Sequence, residues 1–207
     1  MDALLTLDQL SCVRGERRLF SAVSRQLGAG SLLHVLGANG AGKTSLLRML
    51  CGLLSPASGQ VWWRGQPLPR ARDALGRDLV YLGHTAALKD DLSALENLQA
   101  AQSLAGRSTA TRELAKALAD AGLRGRETLP TKRLSQGQRQ RVALARLSLS
   151  SSAPLWVLDE PFNTLDAPAC DWLGALLSGH LRHGGLVVLT SHQALALPGV
   201  AHETLTL

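Results

Sequence analysis

One stretch, Gly37-Ala38-Asn39-Gly40-Ala41-Gly42-Lys43-Thr44, constrains this chain more than any other. It fits the phosphate-loop pattern G-x-x-x-x-G-K-[ST] at every fixed position. Glycines let consecutive backbone N–H groups turn inward on one concave surface, where a Cβ would obstruct phosphates. The helix expected to begin at Lys43 and run through Leu50, with Ser45 in its first turn, turns the positive end of its dipole toward the same anions. Lys43 can then reach the β- and γ-phosphates, and the Thr44 hydroxyl can ligate Mg²⁺. The apolar run Ser31-Leu32-Leu33-His34-Val35-Leu36 reads as a buried strand feeding the loop. Strand, loop and helix together predict binding of a nucleoside triphosphate by Gly37 through Ser45.

The rest of the composition permits a compact enzyme. A chain of 207 residues can bury a proper core, and 45% apolar with 18% charged residues is an ordinary globular mixture. No apolar run approaches the roughly 20 residues a spanning helix needs. The start, Met1-Asp2-Ala3-Leu4-Leu5, lacks the basic and apolar segments of an export signal. Cys12, Cys51 and Cys170 are widely spaced and odd in number, so they read as reduced thiols rather than a disulfide framework or metal site. The net charge of +6 suits nucleic acid or an anionic membrane surface. Its arginines are dispersed, however, and read as a solvated basic surface, so no nucleic-acid partner is expected.

Along the chain, Leu5–Leu10 alternates like a half-exposed strand, and a second strand-like stretch follows from Arg18 to Gln26. Val61–Gln66 reads as a short strand with a turn, and Leu79–Gly83 as a buried one. From His84 to about Ser152 the spacing becomes helical, with leucines at 92, 95 and 98 and a repeat through Leu114, Leu118 and Ala121. A further helix is expected from Gln136 to Leu149. Strand character returns at Leu155–Leu158 and Leu186–Thr190. Between them Asp166 can cap a helix bearing Trp172, Leu173, Leu176 and Leu177. Buried strands alternating with helices indicate an α/β domain with a parallel sheet. The expected division is a nucleotide-binding core over 1–83 and 153–207, with a helical subdomain over 84–152.

Leu155-Trp156-Val157-Leu158-Asp159-Glu160 is an apolar strand ending in two carboxylates. By itself that pattern also suits a solvated strand end. Beside a phosphate loop it acquires chemistry: Asp159 can hold Mg²⁺ directly or through water, and Glu160 can orient or deprotonate a water attacking the γ-phosphorus.

Leu134-Ser135-Gln136-Gly137-Gln138, followed by Arg139-Gln140-Arg141-Val142-Ala143-Leu144-Ala145-Arg146, resembles the signature sequence of the ABC-type ATPases. Asp159-Glu160-Pro161 and Asn163-Thr164-Leu165-Asp166 resemble that family's Walker B and D-loop segments, and Thr190-Ser191-His192 its switch histidine. The motifs stand in the family's order. The resemblance implies a P-loop fold with a RecA-like parallel core, an N-terminal antiparallel portion and a helical subdomain. It also implies a homodimer, in which Ser135, Gly137 and Gln138 serve the nucleotide held by the partner's phosphate loop. A helix N-terminus with a hydroxyl can complete an anion cage, although Ser135 alone would read as a plain N-cap. His192 is implied to contact the γ-phosphate, and Asp166 to link the two sites.

Two positions depart from the family's pattern. His84 falls where a glutamine usually couples metal and water to the membrane partner; it can still hydrogen-bond a water, or it can merely end a strand. Arg14 stands where an aromatic usually stacks on adenine; its guanidinium can stack instead, or lie free on the surface. The run Tyr81-Leu82-Gly83-His84, the stretch Leu92–Leu98 and the ending Ser191-His192-Gln193 resemble one group of the family, the ATP-binding subunits of bacterial cytochrome c maturation transporters. That resemblance implies a peripheral subunit on the cytoplasmic face of the inner membrane, multi-span membrane partners, and ATP hydrolysis that supports haem delivery. No direct haem contact is expected, since the six histidines form no axial-ligand motif. The other readings are an ABC ATPase for another cargo, a soluble ABC ATPase acting on nucleic acid or ribosomes, and a non-catalytic nucleotide sensor.

Overall fold

The computed structural model describes residues 3–192, 200 and 202–207. In chain order its elements begin with β1 (Leu5–Arg14), β2 (Arg17–Leu27), β3 (Leu32–Leu36), α1 (Lys43–Leu50), β4 (Ser58–Trp63), β5 (Gln66–Pro67), α2 (Leu68–Asp78) and β6 (Leu79–Leu82). They continue with α3 (Ala94–Leu104), α4 (Thr111–Asp120), a short 3₁₀ turn at Thr131–Arg133, α5 (Gln136–Ser148), β7 (Leu155–Leu158), α6 (Ala167–Arg182), β8 (Leu186–Thr190) and β9 (Glu203–Thr206). By compactness the chain divides into two units. The first comprises Met1–Tyr81, Ala153–Glu160 and Ser178–Leu207; the second comprises Leu82–Ser152 and Pro161–Leu177.

The first unit carries two sheets. An antiparallel sheet has the order β2-β1-β4-β5, and a second sheet has the order β6-β7-β8-β3-β9. Within the latter, β7/β8, β8/β3 and β3/β9 pair in parallel. Every residue of β7 and β8 is buried, as strands covered on both faces require. Leu33, Val35, Val157 and Val188 share one core with Leu46, Leu47 and Leu50 of α1 and with Leu5, Leu7 and Trp63 of the antiparallel sheet. β1 runs beyond the expected Leu5–Leu10 because a register shift between Leu7 and Leu10, with Gln9 at φ 50°, resets the inward face. Leu10 and Cys12 can therefore be buried together.

Two elements of this unit were not anticipated. α2 is rich in arginine and aspartate and buries only Ala71 and Leu75, one turn apart. β9 buries only Leu205, and is a strand because it pairs with β3.

The second unit is a helical cluster. Ala94 and Leu98 of α3, Leu114 and Leu118 of α4, and Val142 and Ala145 of α5 pack with Leu123 and Leu134. Among the described residues, no helix is long and apolar enough to cross a membrane.

Candidate nucleotide-binding site

The phosphate loop follows β3 directly and leads into α1, as the sequence predicts. Ala38, Asn39 and Gly40 are exposed at its crest, while Ser45 is buried at its base. The loop turns on glycine. Gly42 caps α1 at φ 108°, and a Cβ there would meet Phe20 Cδ1 at 3.0 Å and Leu19 Cβ at 3.1 Å. No other residue fits that backbone without strain. α1 carries no acidic residue in its first turn, so nothing of its own competes with an anion for the helix N-terminus.

Charged groups converge below the loop. Lys43 is buried, and its ammonium donates to the Gly37 carbonyl at 2.7 Å and to the Ala38 carbonyl at 3.4 Å. The Thr44 hydroxyl donates to Asp159 Oδ2 at 2.7 Å. Asp159 and Glu160, at the end of β7, are only 3% and 6% exposed, so they do not form a solvated strand end. Glu160 Oε1 lies 3.1 Å from His192 Nε2 and 4.0 Å from Lys43 Nζ. Thus Lys43, Thr44, Asp159, Glu160 and His192 are brought together within the first unit. A hydroxyl beside a buried carboxylate is an oxygen donor set of the kind that a hard cation such as Mg²⁺ takes, so the residues present fit that ion.

Sequence reasoning missed two residues here. Thr190, fully buried at the end of β8, donates to Asp159 Oδ1 at 2.7 Å and accepts from the Glu160 N–H at 2.8 Å. Its place directly before Ser191-His192 was the available signal. Tyr81, beside Arg48, has its phenol pKa pushed up by burial, with the Asp159 charge adding to the effect.

The remaining candidates are placed elsewhere. Arg14 ends β1 on an exposed hairpin, directly opposite Arg17. Ser135, Gly137, Gln138, Asp166 and His84 belong to the second unit. Ser135 caps α5: its hydroxyl accepts from the Gln138 N–H at 3.2 Å, and Gln138 Oε1 accepts from the Ser135 N–H at 3.0 Å. A Cβ on Gly137 would lie 2.6 Å from the Thr164 carbonyl oxygen, so glycine is needed there for close packing whatever else it does. Asp166 Oδ1 accepts from the Ala169 N–H at 3.2 Å, capping α6 as its position suggested. Asp166 Oδ2 also lies 3.9 Å from Arg141 Nη2. His84 is exposed in the bend after β6.

Strand, phosphate loop, helix and a carboxylate strand paired to its neighbours define a P-loop nucleoside triphosphatase. The ABC transporter family model matches residues 20–163. A cytochrome c biogenesis ATP-binding export protein of Dechloromonas aromatica is 51% identical over 94% of this chain and 95% of its own length. One from Nitrosospira multiformis is 48% identical over 96% of each. Among solved structures, an ATP-binding subunit of an ABC transporter superposes with a TM-score of 0.86 at 26% identity, over 99% of this chain and 85% of the other. The fold is shared also with an ATP-binding cassette solved as a dimer with ADP and Pi, at a TM-score of 0.79 and 23% identity over 91% of this chain and 88% of the other. The chain belongs to the ABC transporter family and, within it, to the cytochrome c biogenesis ATP-binding export proteins.

Proposed function

We propose that this chain is the ATP-hydrolysing subunit of a bacterial inner-membrane complex for c-type cytochrome biogenesis, coupling hydrolysis to haem export or to release of a haem-loaded chaperone. The observation that carries the ATPase part is the pair of buried carboxylates. Asp159 is bonded to the phosphate-loop Thr44, and Glu160 lies 4.0 Å from Lys43 and 3.1 Å from His192. The relatives named for cytochrome c biogenesis, similar over nearly the whole chain, support the cargo.

In this reading the backbone N–H groups of Gly37–Thr44 cradle the phosphates and Lys43 neutralises the β/γ oxygens. Thr44 and Asp159 would hold Mg²⁺, whose charge stabilises the triphosphate as its terminal bond breaks. Glu160 takes a proton from the attacking water, the new oxygen–phosphorus bond forms, and the bond to the β-bridging oxygen breaks to release ADP. His192 donates to the γ-phosphate. Arg14 stacks on the base, and His84, in the second unit, keeps a ring able to hydrogen-bond a water.

Ser135, Gly137 and Gln138 complete the site of a second copy, with Asp166 linking the two nucleotides. One phosphate loop and one signature per chain then make a symmetric homodimer complete. The helical part after His84 docks on multi-span membrane subunits at the cytoplasmic face, so that ATP-driven closure is transmitted there.

The test uses cells lacking their own maturation ATPase and supplied with the matching membrane subunits. The wild-type chain restores covalent haem in c-type cytochromes. Glu160→Gln binds ATP but releases phosphate about a hundredfold more slowly or worse, as loss of a general base predicts, and fails to restore haem. Full turnover in that variant rejects Glu160 as the base. Hydrolysis without cytochrome rescue moves the protein to another cargo.

A further inference from the structure

Thr190 is the sole polar residue of β8, whose other members are aliphatic, and it is 0% exposed. A buried threonine hydroxyl has one proton to give and needs partners. Here it reaches two consecutive carboxylate residues. Its proton goes to Asp159 Oδ1 at 2.7 Å, and its oxygen receives the Glu160 N–H at 2.8 Å. The register Leu158↔Leu189 sets the Asp159–Glu160 step beside Thr190.

We propose that Thr190 is a positioning residue for both halves of the site: it orients the Asp159 carboxylate for the metal and locks the Glu160 backbone for the water. The proposal rests on the ATPase reading above and deepens it. With one oxygen engaged by Thr190, Asp159 presents the other to Thr44 at 2.7 Å, and a quarter-turn about its Cβ–Cγ bond would forfeit both contacts. Glu160 adopts φ 53°, a left-handed conformation uncommon outside glycine. A backbone N–H fixed by a buried acceptor holds that conformation. It delivers the side chain to 3.1 Å from His192 and 4.0 Å from Lys43. One hydroxyl thus ties the metal carboxylate to the water-activating one.

The test compares Thr190→Val and Thr190→Ala, which delete the hydroxyl, with Thr190→Ser, which keeps it. Mn²⁺ serves as the spectroscopic probe, its binding in the presence of ATP read by electron paramagnetic resonance. ATP affinity without divalent ion reports that each variant is folded. The Val and Ala forms are expected to bind metal-free ATP like the wild type but Mn²⁺ about tenfold more weakly. Turnover should fall by roughly ten- to a hundredfold at little changed KM, the scale of one lost hydrogen bond to a charged group. Ser should restore both. Should Val not fold, the Ala–Ser contrast decides.

Unchanged Mn²⁺ affinity and turnover in a hydroxyl-less variant overturns the proposal and leaves the ATPase reading standing, as does a Ser form as impaired as Ala. A wild-type chain that binds no ATP overturns both.

Discussion

The two units organise their functional residues by different physics. In the first, Lys43, Asp159, Glu160 and Thr190 are buried; Lys43 bonds to its own loop, but the carboxylates are held by partners far away in sequence: Thr44 reaches Asp159 across 115 residues and Thr190 across 31. In the second, Ser135 and Gln138 are three residues apart and satisfy each other at an exposed helix start. Nearby, Arg139 pairs with Asp90, and Lys132 with Asp91 at 2.6 Å, on the surface. The buried constellation is fixed by strand register and lies largely out of bulk solvent, where charge works hardest. The exposed one presents a preformed helix end outward. In the dimer proposed above, the buried group would hold the chemistry and the exposed helix end would be offered to the second copy.

The largest expected effect lies in the first unit. Gly42→Ala forces a Cβ against Phe20 and Leu19 at a φ of 108°, and should cost about 2–3 kcal/mol. ATP binding should fall with it, as read by urea unfolding and nucleotide titration. A stable Gly42→Ala chain with intact binding would break the claim that the loop is held from beneath.

A pH-dependent effect of similar size sits in the same unit. His180 stacks on Trp156 with ring centroids 3.7 Å apart, and burial holds its pKa down at about 4. Its folded value lies below the ordinary 6.5, so the unfolded chain binds the proton more readily. Stability from this group is whole above pH 6.5 and is lost as pH falls toward 4. Between pH 8 and pH 5 the loss should be about 2 kcal/mol, measured as the shift in urea midpoint relative to His180→Phe. Parallel curves for the two proteins would remove His180 as the cause.

The smallest stability effect belongs to the second unit and sharpens the comparison most. Ser135→Ala removes one N-cap and should cost about 1 kcal/mol. If the signature also serves another copy's nucleotide, phosphate release should fall at least about tenfold, out of proportion to that loss. Activity that falls only with the folded fraction would reduce Ser135 to a cap.

Much of this was legible in the sequence, for reasons of range. The phosphate loop, the Lys43–Leu50 helix, the apolar strands and the cap at Ser135 are written in residues within a few positions of one another, where glycine conformation, burial period and capping act. α2 was not legible, because Arg70, Arg72, Asp73, Arg77 and Asp78 mask a buried face of two residues. β9 was not legible because its partner strand lies about 170 residues away in sequence. Tyr81 read as an ordinary strand residue, since nothing local reveals that Arg48 and Asp159 surround it.

The sequence by itself determined nucleotide binding, because a phosphate loop specifies its chemistry through local spacing, and it placed the chain among the ABC-type ATPases through the resemblance of its signature, carboxylate and switch segments to those of that family. Tertiary structure alone decided that the Asp159 carboxylate bridges the Thr44 and Thr190 hydroxyls, that Glu160 takes a left-handed backbone, and that Thr190 contacts both residues. The physical reason is that a buried hydroxyl finds its partners through the register of neighbouring parallel strands, and register is a property of the assembled sheet.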